Sequence, residues 1–380
     1  MTVAVDVDEL WRLFEAFVAA DTLVATDENR IDPLDPRLTR FAHDVATPAF
    51  EELGATVEVD RLNNVLGRFG ALTGDELLFL GYPALHHGNE MEEPLRARRV
   101  QAASGAELWV GVGASQSKGG LAAACAAIGA LRAAGAELAG RVLVGVCSEG
   151  SSTHESSKVL YESLDPLPAG AVLTVGTRNR ISLGNRGRID VVVEIEGVPT
   201  HSSVAGRLGR NPIPVVGEVQ RRLAALRLDP APHPQLGSRS ILPYKLTCGP
   251  VAPHTTPAWC RLVLDRRLLP GDDPGEAVES VAQALAGLEH VTVRQGATML
   301  PALVDEDADV VQALQRWKPL ETFYPESTFD AGYPCSLGVP TVMCGPLSGE
   351  LDTTGVLGDD VVSRDQLVEA AQIYAGAMSK

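Results

Sequence analysis

GVGASQSKGGLAA, Gly111 to Ala123, is the stretch from which the rest of the chain is read. It joins a strand-like run, Glu107 to Val110, to a long Ala-rich helix expected from about Ser117 to Ala134. The strand Arg141 to Cys147, a helix near Ser156 to Ser163 and the strand Ala171 to Val175 follow it. Upstream, Leu10, Leu13, Phe14, Phe17 and Val18 recur at helical spacing within Val7 to Ala20, and Arg37 to Leu53 reads as a second helix. Strand-like runs lie at Thr56 to Val59 and Glu76 to Leu80. Strands alternating with helices imply an α/β fold with a mixed or parallel sheet covered on both faces.

At Arg188 the character changes. IDVVVEIEG is a long alternating strand, Asn211 to Leu226 a helix, Ser240 to Cys248 and Trp259 to Asp265 two strands, Pro274 to Leu288 a helix and His290 to Arg294 a strand. The chain then returns to helix (Asp307 to Trp317), strand (Pro340 to Cys344) and a closing helix (Arg364 to Met378). A four-stranded, two-helix α+β domain over residues 188–296 is therefore expected as an insertion into a discontinuous domain of residues 1–187 plus 297–380.

Composition narrows the partners. A chain of 380 residues with 45% hydrophobic content is long enough for two cores. A net charge of -17, with 49 acidic residues, repels nucleic acid and anionic membranes, so neither is an expected partner. The longest apolar run, Leu121 to Leu131, is about half the length a bilayer crossing needs. Met1 to Leu10 carries Asp6, Asp8 and Glu9 without a basic stretch, and a cytoplasmic protein is expected. Six cysteines without CxxC spacing read as buried reduced thiols.

The Gly111 to Ala123 frame resembles the GxGxxDxKGGxAA signature of the zinc aminoacylase, acetylornithine deacetylase, succinyl-diaminopimelate desuccinylase and carboxypeptidase family. The resemblance runs in order through nearly the whole chain. It implies a mixed-sheet metallopeptidase-like catalytic domain with an inserted dimerisation domain acting as a lid, a homodimer, and a small-molecule substrate. In that family the signature Asp lies between two zinc ions, and here the position is Gln116. The His and Asp of a GHxD segment are replaced by Tyr82 and Ala84. For an acidic pair, one base and one ligand, VGVCSEGSS offers only Glu149, and which of the two it matches stays open. A further acidic ligand falls near Val175 and Gly176, and a final His aligns with Asp352 in GPLSGELDTTG.

Zinc needs roughly three or four N, S or O donors at about 2.0 to 2.3 Å, and a two-metal site needs a bridging carboxylate too. No cofactor is therefore expected, and the chain reads as a divergent member lacking most metal ligands. The alternative is one zinc in a rebuilt site of Glu149, Asp352, His86, His87 and Glu90, against a reading of HHGNEMEE as a solvated loop.

Outside the metal shell, the resemblance gives His201 in GVPTHSS the part of oxyanion donor. It makes Asn211 a holder of substrate or oxyanion, with Arg210 beside it, and puts His254 of PHTTP where the family has Asn. Asp265 and Arg267 match a structural DxR, and Asp330 and Ala331 a GTDAR-like segment whose Arg is Gly332. Tyr82, Gln116, Asp352, Ser115 and Lys118 complete the candidate substrate contacts.

Without zinc, water is not acidified to a pKa near 7, and the expected chemistry shifts. The expectation is metal-independent acyl transfer, cyclisation or hydrolysis at an amide-type bond of a small amino-acid-derived molecule, with Glu149 as base. Ser115 and Lys118 also form an SxxK at a helix start, the spacing of a serine acyl-enzyme. A Cys147 nucleophile lacks an evident partner that would lower its pKa. A non-catalytic small-molecule-binding protein is the remaining alternative.

Overall fold

The computed structural model describes residues 3–24, 26–27, 30–70, 76–85, 91–150, 152–250, 252–347, 358 and 360–380. Two units emerge: Met1–Asn185 with Ala302–Pro325 and Phe329–Lys380, and Arg186–Pro301 with Glu326–Thr328.

In the first unit, Asp6 caps the helix Val7–Ala19 by accepting from the amides of Asp8 and Glu9. The helix buries Leu10, Leu13, Phe14, Phe17 and Val18. The expected helix over 37–53 forms with an interruption, a π-helical segment Phe41–Ala46 between Pro36–Arg40 and Thr47–Glu52. Pro48 has no amide to continue the usual ladder, and the Thr47 hydroxyl instead donates to the Ala42 carbonyl at 2.8 Å.

The main sheet has eight strands, four of them parallel neighbours in the order Thr341–Met343, Gly170–Leu173, Glu76–Gly81 and Arg141–Val146. Val65–Gly70 and then Thr56–Val59 continue it antiparallel beyond Arg141–Val146. Glu107–Val110, which the alternation would place in this sheet, instead pairs with Arg98–Gln101 and Val361–Ser363 in a separate three-stranded sheet. The helix Lys118–Ala133 is buried around almost its whole circumference, which its Ala and Gly content allows. A Cβ on Gly120 would overlap the Thr174 carbonyl, so only glycine lets the helix start approach the strand end this closely.

The second unit is an antiparallel sheet in the order Ser240–Gly249, Trp259–Leu268, Gly187–Glu196, Val291–Met299. The helices Ile213–Ala225 and Pro274–Ala284 contribute Val216, Val219, Leu223, Ala277 and Val281 to a core with Ile189, Val191, Val193, Ile195, Leu262 and Leu264. Ser240–Gly249 is an edge strand with Leu242, Tyr244 and Leu246 exposed.

The expectation of reduced thiols throughout is corrected here. Cys125, Cys147, Cys335 and Cys344 are free, but Cys248 and Cys260 form a disulfide. They stand directly opposite on neighbouring antiparallel strands, Cα to Cα 4.1 Å, a pairing that short-range cysteine spacing does not reveal.

Candidate active site

The parallel strands end together. The Cys147 amide donates to the Gly81 carbonyl at 2.8 Å, the Thr174 amide to Leu80 at 3.0 Å, and the Cys344 amide to Leu173 at 3.1 Å. The residues that follow therefore share one edge, where open α/β sheets place their ligands. Tyr82 leaves the first strand, and its amide donates to the Ser117 hydroxyl at 2.7 Å, tying it to the start of the Lys118–Ala133 helix. Gly150, at φ +68°, lies against the Tyr82 ring so closely that any Cβ would overlap it. The Gly176 amide donates to the Gln116 carbonyl at 3.4 Å. Tyr82, Gln116, Glu149 and Val175 thus stand on neighbouring segments, with Tyr82 and Gln116 half-buried and Glu149 and Val175 buried.

Glu149 is 1% exposed. Its Oε1 accepts from the hydroxyls of Ser152, at 2.7 Å, and Thr153, and its Oε2 accepts from the Ser156 amide at 3.1 Å in the first turn of the helix Glu155–Glu162. Burial raises its pKa above the ordinary carboxylate range, while the Thr153, Ser152 and Ser156 hydrogen bonds pull it back.

Beside it lies a pair the sequence reading missed. His154 Nδ1 bonds Asp330 Oδ1, the Ser157 hydroxyl donates to the same oxygen at 3.1 Å, and the Cys147 thiol stands 3.9 Å from Oδ2. Burial raises the Asp330 pKa, opposed by the His154 charge and hydrogen bond. Burial also pushes the Cys147 thiol well above its ordinary value, with the Asp330 carboxylate adding to the shift, and the thiol faces a carboxylate rather than an imidazole. Among the described residues, no charged group that would lower its pKa stands against Cys147 to activate it as a nucleophile. The available signal was His154 itself, five residues beyond Glu149, but its partner lies 176 residues away.

The serine–lysine pairing suggested by SxxK is not formed. Ser115 donates its hydroxyl to Asp360 Oδ1 at 2.6 Å, and the same carboxylate accepts from the amides of Ser115 and Gly113 at 2.8 and 2.7 Å. Lys118 is 1% exposed and donates to the Ala20 carbonyl at 3.2 Å. Desolvation lowers its pKa to about 7, against the pull of Asp21 and Asp360. Ser115 thus ties the Gly-rich turn to Asp360, and Lys118 ties the helix start to the end of the helix Val7–Ala19.

In the second unit, His201 and His254 come together with ring centroids 6.0 Å apart. His201 is exposed, and its Nδ1 accepts from the Ser203 amide at 3.3 Å, so the neutral ring carries its proton on Nε2. His254 has φ +55°, and its carbonyl accepts from the Ser202 amide at 2.8 Å. Asn211 Oδ1 accepts from the Ile213 amide at 3.1 Å, and Arg210 Nε donates to the Glu196 carbonyl at 3.2 Å. Arg267 grips Asp265 through Nε and Nη2 at 2.7 and 2.8 Å and Thr328 at 2.7 Å, a structural brace.

Among the described residues, no group of three or more His, Cys, Asp or Glu could hold a metal. Among the described residues, Tyr82, Gln116 and Val175 stand at the expected ligand positions and both Glu149 oxygens are engaged, a donor set that does not fit a two-zinc centre. His86, His87, Glu90 and Asp352, the remaining parts of the one-zinc alternative, lie outside the described residues.

Residues 183–291 match the model of the peptidase dimerisation domain. Across 97% of this chain and 95% of its own, the dipeptidase Dug1p of Saccharomyces cerevisiae superposes with a TM-score of 0.77 at 12% identity. The M20 family metallo-carboxypeptidase Sso-CP2 of Sulfolobus solfataricus covers 97% and 98% at 0.74 and 16% identity. A hydantoinase/carbamoylase family amidase of Burkholderia multivorans covers 99% and 98% at 0.58 and 15% identity. No curated protein matches the sequence. These likenesses define a two-domain metallopeptidase fold. It is the fold of the M20 family, with the peptidase dimerisation domain inserted into the α/β unit. No helix among the described residues is long and apolar enough to cross a membrane.

Proposed function

We propose that the protein acts on an amide-type bond of a small amino-acid-derived molecule, by acyl transfer, cyclisation or hydrolysis, without a two-zinc centre. The observation that carries this reading is Glu149: it is the acid on the strand-end segments that also bear Tyr82, Gln116 and Val175, and burial raises its pKa toward the range useful for proton transfer. The fold shared with a dipeptidase, a carboxypeptidase and an amidase supports the bond type. His201 is the proposed oxyanion donor, a part given by resemblance and supported by the Nε2 proton that its Ser203 contact fixes. The dimerisation-domain match supports a homodimer. A cytoplasmic location belongs to the same reading, and the Cys248–Cys260 disulfide weighs against it.

A second reading, a binding protein without turnover, is favoured by the engagement of both Glu149 oxygens and its 1% exposure. The test incubates the purified chain with dipeptides and N-acyl amino acids, with and without chelator, and follows products by mass spectrometry. Turnover that persists in chelator supports the proposal. Turnover that needs restored zinc overturns its metal independence, and tight binding without conversion selects the second reading.

A further inference from the structure

Along Trp259–Leu268, the residues Cys260, Leu262, Leu264 and Leu268 alternate onto the helix-covered face of the second unit's sheet. Arg266 falls in the same alternation, a guanidinium where the pattern calls for an apolar side chain. It is 6% exposed. Its Nη1 donates to the carbonyls of Arg267 at 2.7 Å and Ser240 at 3.4 Å, while its Nε is buried without a partner among the described residues. Burial holds its pKa below the ordinary arginine value, so this position disfavours the charge it carries.

The nearby carboxylate acts on that charge through space, but its hydrogen bonds go elsewhere. Asp272 is taken by Arg239, whose Nε donates at 3.0 and 2.9 Å to the two oxygens, and by the Leu269 amide at 2.9 Å. Arg239 also reaches Asp229, at 3.5 Å, so its charge is answered on both sides, while among the described residues the guanidinium of Arg266 is not hydrogen-bonded to a carboxylate; both arginines line a cavity of about 280 Å³. A buried, incompletely bonded guanidinium is costly, and an anion that bonds it offsets that cost. The cavity is also lined by the exposed Arg227 and by exposed acids, Asp229 and Glu276 among them, which attract a cationic group. A ligand negative at one end and positive at the other satisfies both.

We infer that this cavity binds a zwitterion of the size of a free α-amino acid, its carboxylate on Arg266 and its ammonium between Asp229 and Glu276. The inference is independent of the proposed reaction, since every residue in it belongs to the second unit.

Calorimetric titration of the full chain tests it, using L-alanine, L-leucine and L-glutamine as ligands and sodium acetate and n-butylamine as half-ligands. At least one amino acid is expected to bind saturably, and acetate about tenfold or more weaker. Arg266→Met is expected to abolish binding, with circular dichroism checking that the sheet persists. Should that variant fail to fold, Glu276→Gln at the exposed side decides: it should weaken the amino acid and leave acetate unchanged. The site is overturned if no amino acid binds up to about 10 mM, if acetate binds as well as the amino acid, or if the folded Arg266→Met or the Glu276→Gln variant binds like wild type.

Discussion

Replacing Lys118 by Met tests the buried amine directly. The side chain is 1% exposed, and its stem packs where a Cβ on Gly113 would come within 2.9 Å of Lys118 Cδ, so an unbranched thioether occupies nearly the same space. Burial lowers the amine from 10.5 to about 7, a drop worth about 5 kcal/mol at roughly 1.4 kcal/mol per unit. The sign follows from proton counting. Between pH 10.5 and 7 the unfolded lysine holds a proton that the folded one lacks, so lysine's contribution to folding worsens as pH falls through this window. Below pH 7 both states are charged and the penalty is complete. At pH 10.5 it has nearly vanished, and the variant lacks only the bond to the Ala20 carbonyl, worth about 1 kcal/mol. Lys118→Met should therefore be several kcal/mol more stable than wild type at pH 7 and lose that advantage steadily toward pH 10.5. Urea unfolding of both proteins at pH 7, 8, 9 and 10, followed by tryptophan fluorescence, measures the difference. Other titrating groups are common to both chains and cancel. Stability curves that run parallel over this range would refute the reasoning.

On the true substrate, Glu149→Gln and His201→Ala should each lower kcat by about a hundredfold or more, and Tyr82→Phe far less; full activity in both of the first two would remove the proposed mechanism. Joint replacement of Cys248 and Cys260 by serine should cost about 2 to 3 kcal/mol, as for a loop whose ends are 12 residues apart, seen as a lowered Tm that matches wild type treated with reductant; an unchanged Tm in both would show that the link does not stabilise the unit. Sedimentation at micromolar concentration should give a dimer that the isolated 186–301 segment reproduces if the dimerisation domain carries the interface, and a monomeric full chain would contradict it.

The parts of the fold legible in the sequence are those fixed by local pattern. The Gly-rich turn and its Ala-rich helix, the alternating strand from Gly187 and the closing helix Arg364–Met378 each announce themselves within a few residues. What stayed hidden depends on distant contacts. Asp360 braces Ser115 from 245 residues away, and Asp330 reaches His154 across 176. Arg266 was concealed by its neighbours: Asp265 and Arg267 read as a DxR pair, and only the strand's facing shows that the arginine between them turns inward. The candidate residues at the sheet edge were found through their segments, whereas the engagement of Glu149 by Ser152, Thr153 and Ser156 depends on how the loop closes.

The edge strand Ser240–Gly249 holds one residue more than its neighbour needs, a bulge between Pro243 and Lys245. An extra residue in an edge strand can in principle migrate along it, and each one-residue step would turn the side chains it passes to the opposite face. The Cys248–Cys260 bond, beyond the bulge, sets a limit to that travel: it holds Cys248 opposite Cys260, so the extra residue cannot pass that point. Oxidation of two thiols thereby acts as an end stop for the extra residue, and a reducing environment withdraws it.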